Sequence, residues 1–104
     1  MKSYKVLLTQ PAANDLHGIT CYIANELREP AMAKILAGRI KEAVMSLAGL
    51  PTRYALVADE RLAVQGIRKL MIDSYTIFYI VDERAAQVTV VRILHGRRDW
   101  AALL

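Results

Sequence analysis

Residues 87–95, QVTVVRILH, constrain the fold of this chain more than any other stretch. Their β-branched and aliphatic side chains make a strand that sheet packing can bury, and Gly96 then releases the chain into Arg97, Arg98, Asp99 and Trp100. A sheet must therefore surround this segment, and the remaining residues must supply its neighbours and a covering layer. Stability alone seldom calls for such a basic terminus, so the end of the strand is also the first place to look for a contact surface.

The preceding residues supply those elements in order. Tyr4 to Leu8 form a short extended run, apolar on both faces, as expected of a strand inside a sheet rather than at its edge. Thr9 is placed to cap a helix and Pro11 to sit in its first turn. Leu16, Ile19, Ile23 and Leu27 then fall on one stripe, with Asn14, Asp15 and Glu26 facing elsewhere. Pro30 separates a second helix, whose stripe is Ala33, Leu36, Ile40, Val44 and Leu47, and Gly49 with Pro51 ends it. So short a link predicts an antiparallel helical hairpin. Residues 52–65 have no sustained period and read as a loop, one long enough to be functional or to hold a short strand. Residues 66–72 and 75–81 read as a hairpin turning at Asp73 and Ser74, and Asp82 to Ala86 reverse the chain into the last strand. Trp100 to Leu104 could add a helical turn. The expected class is α+β: a strand, a helical hairpin, then a three-stranded antiparallel meander, with helices on one sheet face and the other face partly open.

Composition bounds what such a domain can do. With 104 residues, the whole chain reads as one domain. It lacks the roughly 20 consecutive apolar residues of a membrane helix, and the apolar run at its start is shorter than the roughly 7–15 residues of a signal-peptide core. A cytoplasmic location without membrane association is expected. The hydrophobic fraction of 55% and mean hydropathy of +0.23 are high for so small a core, which argues for a partner that covers apolar surface. Net charge is +4, shared by both halves of the chain, and favours acidic partners. The single Cys21, among apolar helix neighbours, reads as a buried thiol, the alternative being a surface thiol that links two chains on oxidation. Two histidines and one cysteine are too few for a usual zinc site, and no cofactor is expected.

Nearly the whole chain resembles the RelE/ParE superfamily of type II toxins, small proteins paired with a labile antitoxin in plasmid-maintenance and stress operons. The resemblance rests on Tyr4-Lys5-Val6 followed by Ala13, Asp15 and Leu16, on the Pro30 helix link, and on Leu47 with Pro51. It continues through Ile67-Arg68-Lys69-Leu70 and Tyr75 with Phe78 and Tyr79, and closes on Val91-Arg92-Ile93-Leu94-His95-Gly96-Arg97-Arg98. Order and spacing carry it, not any single motif. It implies a toxin neutralised by a cognate antitoxin. The ending His95 to Trp100 is more similar to the ParE type, which implies inhibition of DNA gyrase. The alternative is a RelE-like, ribosome-dependent mRNA endoribonuclease, for which a C-terminal tyrosine is missing.

The candidate residues divide along the same line. In a RelE-like enzyme the catalytic groups would be Arg68 and His95. Arg68 shares a face with Leu70 and Ile72, opposite Lys69, and reads equally as a contact to phosphate or an acidic partner and as a cross-strand ion pair with a carboxylate such as Asp82. His95 could act as general acid or base in RNA cleavage, though a lone histidine at a strand end more often only bonds locally. Strict alternation puts it with Val91 and Ile93, and Arg92 with Val90 and Leu94. In a gyrase inhibitor the target-binding set would be Arg92, Arg97, Arg98 and Trp100, since arginine and tryptophan are enriched at interface hot spots. Arg97 and Arg98 otherwise read as a solvated pair and Trp100 as a clamp for the C-terminal turn. Tyr75 and Tyr79 share one strand face and Phe78 takes the other, with core packing as their default role.

Overall fold

The computed structural model describes residues 3–96. β1 (Lys5–Leu8) passes through Thr9 into α1 (Gln10–Cys21). Thr9 has an extended backbone and its hydroxyl accepts the amide of Ala12 at 3.1 Å, while Pro11 takes a first-turn position whose amide would have no helical partner. α1 does not end cleanly. It widens into a π-helical turn, Tyr22–Glu26, and the link closes with Arg28 in the left-handed region at φ +54°. Pro30 opens α2 (Pro30–Ser46), which completes the expected hairpin.

The sheet contains β2 (Arg68–Ile72), β3 (Tyr75–Asp82) and β4 (Gln87–His95) as an antiparallel meander, and its spatial order is β1-β4-β3-β2. Asp73, at φ +52°, makes the two-residue turn between β2 and β3, a conformation that aspartate tolerates better than most side chains. β1 runs parallel to β4, pairing Lys5 with Gln87 and Leu8 with Val90. It is an edge strand, contrary to the interior position that its two apolar faces predict. Doubly apolar character says nothing about which strand lies alongside, and here only Val6 is half-buried while Lys5, Leu7 and Leu8 are exposed.

Two apolar clusters flank the sheet. On the helical side, Ala12, Ile40, Val44 and Leu47 meet Leu70, Ile77, Tyr79, Val88, Val90 and Ile93. On the other side, Val57, Leu62 and Ile67 pack on Phe78 and Leu94. The second cluster corrects two expectations. Residues 52–65 are not a plain loop: they hold a 3-10 turn (Pro51–Arg53), a bridge between Leu56 and Arg68, and the short helix α3 (Glu60–Val64), capped by the Asp59 carboxylate on the amides of Arg61 and Leu62 at 2.9 and 3.3 Å. They also cover much of the face expected to be open. A helix of five residues is too short to announce itself by periodicity.

β4 also breaks strict alternation. Tyr79 pairs with Val90 and Phe78 with Arg92, so Val91 is an extra, bulged residue. Beyond it the faces exchange: Val90 and Ile93 lie on the helical side, Leu94 on the other. Arg92 therefore does not share a face with Val90, nor His95 with Val91, as strict alternation predicts, whereas Arg92 with Leu94 and His95 with Ile93 keep their expected pairing of faces. The bulge falls where β1 gives way to α1, and there Thr9 takes over from the strand: its amide donates to Val90 O at 3.0 Å and its hydroxyl to Val91 O at 2.9 Å.

Candidate functional site

Past the bulge, the edge of β4 has no strand to pair with on the β1 side, and α1 lies alongside instead. Asp15, on the second turn of α1, fills the gap. Its carboxylate accepts the Ile93 amide at 3.0 Å and holds the Arg92 guanidinium through two bonds, Nε to Oδ2 at 2.6 Å and Nη2 to Oδ1 at 2.9 Å. Both side chains are more than three-quarters buried. The hydrogen bond to Asp15 raises the Arg92 pKa above its already high ordinary value, so the guanidinium keeps its charge. Arg92 thus ties the fold together, and Asp15, which periodicity assigned only to the side away from the apolar stripe, is its anchor.

Arg68 has a comparable task on the opposite edge. Its guanidinium donates to the Tyr54 carbonyl at 2.7 Å and, at 3.5 Å, towards that of Thr52. The hydroxyl of the fully buried Tyr79, directly across the ladder from Arg68, donates to the Pro51 carbonyl. Burial pushes the Tyr79 phenol up to about 12, with Arg68 pulling the other way. Two side chains from the sheet therefore pin the turn at residues 51–54. The cross-strand partner suggested for Arg68, Asp82, is not beside it: Asp82 pairs with Gln87 and caps the amide of Ala85 at 3.1 Å.

His95 is exposed at the end of β4, with its ring edge-on to Tyr75 at a centroid distance of 5.1 Å. It is not brought together with Arg68. It stands at one end of a groove of about 1190 Å³ between α1, the π-helical turn, α2 and the β2–β3 turn. The floor and walls include Ile19, Ile23, Leu36, Tyr75 and Ile93, and the Arg39–Asp73 ion pair, at 2.9 Å, spans from α2 to the turn. Tyr22, Leu27, Met32 and Ile35 line the groove and are each more than half exposed. Helical periodicity passes over Met32 and Ile35 because they lie outside the core stripe of α2; their spacing of three, continued by Leu36, is the available signal. Arg97, Arg98 and Trp100 of the expected target-binding set, and the expected turn at 100–104, lie outside the described residues.

Cys21 is half-buried, not sequestered, with its sulfur 3.4 Å from His17 Nε2 one helical turn earlier. Among the described residues, no three His, Cys, Asp or Glu side chains gather as metal ligands, and no helix is long and apolar enough to cross a membrane.

The sequence pattern of the ParE toxin of the type II toxin-antitoxin system parDE matches residues 6–100. This chain belongs to the ParE toxin family. Its fold agrees with that membership. It is similar to a chain of the chromosomal ParDE system of P. aeruginosa, with a TM-score of 0.75 and 22% identity over 93% of this chain and 100% of the other. It is also similar to a chain of the RelBE2 toxin-antitoxin complex of Mycobacterium tuberculosis, at 0.66 and 25% over 91% and 93%, and to one of the intact E. coli RelBE complex, at 0.60 and 15% over 92% and 100%. No curated protein matches the sequence significantly. As a ParE-family chain it is a type II toxin, and the strand, helical hairpin and meander are the shared frame of the RelE/ParE fold.

Proposed function

We propose that this ParE-family toxin acts in the cytoplasm on DNA gyrase and is held inactive by a cognate antitoxin whose amphipathic helix lies in the groove between the helical hairpin and the β2–β3 turn. The solved relatives named above are toxin-antitoxin systems, which supports an antitoxin partner here. The groove suits one, because four large apolar side chains on its walls are left in water without an occupant.

The observation that carries the gyrase reading over mRNA cleavage is the occupation of the two strand arginines. A nuclease of this fold needs cations on the reacting phosphate and two proton-transfer groups. Arg68 is bound to backbone carbonyls and Arg92 to Asp15, so both strand arginines are engaged within the fold, while His95 has the Tyr75 ring edge-on beside it. Target contacts then fall to the chain end, with Arg97, Arg98 and Trp100 as the residues to test.

The test is to induce the chain alone in bacteria and follow DNA and mRNA over minutes, with purified gyrase assayed for supercoiling in parallel. DNA breaks, filamentation and loss of supercoiling are expected. Prompt cleavage of ribosome-bound messages with intact DNA would overturn the gyrase reading and make Arg68 and His95 the residues to pursue.

A further inference from the structure

The chain carries a net charge of +4, yet the walls of the groove reverse that balance. Its lining holds three carboxylates, Asp15, Glu29 and Asp73, against one arginine, Arg39. Two of the three are already neutralised, Asp15 by Arg92 and Asp73 by Arg39 at 2.9 Å. Glu29 is not. It is exposed, and among the described residues its side chain has no hydrogen bond or ion pair. Arg28, next to it in the chain, does not line the groove. As the residue before α2, Glu29 stands where a side-chain oxygen ordinarily accepts a first-turn amide, but it makes no such cap.

The Glu29 amide donates to Ile23 O at 3.0 Å and the Leu27 amide to Tyr22 O at 3.2 Å, which folds the link back against the π-helical turn and sets Glu29 at the same end of the groove as Tyr22 and Leu27. Arg39 and Asp73 mark the other end, beside Tyr75 and His95; Arg39 follows Glu29 by ten residues of α2, a rise of about 15 Å. Met32 and Ile35 lie between them. The groove thus runs from a free carboxylate, across an apolar stretch, to a closed ion pair. We infer that Glu29 selects the antitoxin: the helix that fills the groove carries an arginine or lysine at one end of its apolar face, with the charged head at Glu29 and the stem along the Tyr22 ring. This rests on the reading of the groove as the antitoxin site. A basic side chain suits both neighbours, because its methylenes cover apolar surface while its head stays polar, and an aromatic face attracts the same cation. An acidic residue there would meet a like charge, with Arg39 already taken by Asp73. The contact lies at the rim, so it acts more on the choice between antitoxins than on total affinity.

Affinity for the antitoxin of its operon should be measured by calorimetric titration for the unmodified chain, Glu29→Gln and Glu29→Lys, at low and at high salt. Glu29→Lys is expected to weaken binding about tenfold at low salt, since it replaces an attraction by a repulsion, and Glu29→Gln about threefold. Both losses should shrink at high salt, and the urea midpoints of the free chains should agree. Each arginine and lysine of the antitoxin is then replaced by glutamate in turn. One of these changes is expected to restore binding to Glu29→Lys while weakening binding to the unmodified chain. Should Glu29→Lys unfold early, the same antitoxin series decides on Glu29→Gln, which should be insensitive to the one change that weakens the unmodified chain. Equal affinities of the three chains, or tighter binding by Glu29→Lys, would overturn the proposal. If Ile35→Asp still weakens binding in that case, the groove keeps its antitoxin and only the role of Glu29 falls. Absence of any complex would remove the antitoxin reading and this proposal with it.

Discussion

The carboxylate of Asp15 stands in for a missing strand: it accepts the backbone amide of Ile93 at 3.0 Å and, with the same group, grips Arg92 on the adjacent residue of β4. One side chain thus satisfies an edge amide and neutralises a largely buried guanidinium, and it fixes α1 against the sheet directly after the bulge at Val91. Removing one member of such a pair leaves the other charged and poorly solvated. Asp15→Ala is expected to lower stability by about 2–3 kcal/mol, measured by urea unfolding, and the Asp15→Ala/Arg92→Ala double variant to cost clearly less than the sum of the two singles. Additive losses would mean that the pair contributes nothing as a pair.

Tyr79 gives a prediction in pH. Its phenol is raised to about 12 in the fold against an ordinary 10, so the native state holds its proton where the unfolded chain has lost it. Its contribution is fully present below pH 10 and is lost as pH rises towards 12. The fall in unfolding free energy across that window should be shallower in Tyr79→Phe, which also costs about 1 kcal/mol at neutral pH by stranding the Pro51 carbonyl. Equal slopes in the two proteins would show that Tyr79 does not titrate with unfolding.

The strands, the hairpin and their order were legible because each carries a period that short-range physics enforces: the stripe of Ile40, Val44 and Leu47, the Thr9 cap with Pro11, the Asp73-Ser74 turn. What escaped was set by long-range geometry. Alternation along β4 assumes no extra residue, and the bulge at Val91 depends on where β1 ends, 82 residues earlier in the chain at Thr9. β1 looked interior since hydropathy is blind to edges: Leu7 and Leu8 are apolar yet exposed. Of the candidate residues, Arg68 and Arg92 both have partners within the fold, and a mid-strand arginine signals a partner without saying whether it is a target, a backbone carbonyl as for Arg68, or, as for Arg92, an aspartate on the neighbouring helix.

For Arg68 the structure shows a stabilising contact within the fold. Its guanidinium holds the Tyr54 carbonyl, so Arg68→Ala should release the turn at 51–54 and cost about 1–2 kcal/mol. Arg68→Lys should recover only part of this, because an ammonium lacks the planar fork. Toxicity should fall only in proportion to the loss of folded protein. A variant that unfolds at the same urea concentration as the unmodified chain yet is no longer toxic would show that Arg68 acts on the target.

The groove allows folding and antitoxin binding to be separated by position along α2. Ile35 is 57% exposed on the groove wall, whereas Ile40, five residues on, is completely buried in the core. Ile35→Asp should change stability by less than about 0.5 kcal/mol, the ordinary range for surface positions, while placing a charge where an apolar helix face would have to pack. Antitoxin affinity should then fall by about a hundredfold, within the range seen when a central interface residue is lost, and co-produced antitoxin should no longer protect cells. Ile40→Asp should instead abolish folding and toxicity together. Calorimetric titration of the Ile35 variant decides the matter: unchanged affinity would mean that the antitoxin neutralises this chain without entering the groove, and the exposed apolar wall of α2 would then need a different occupant.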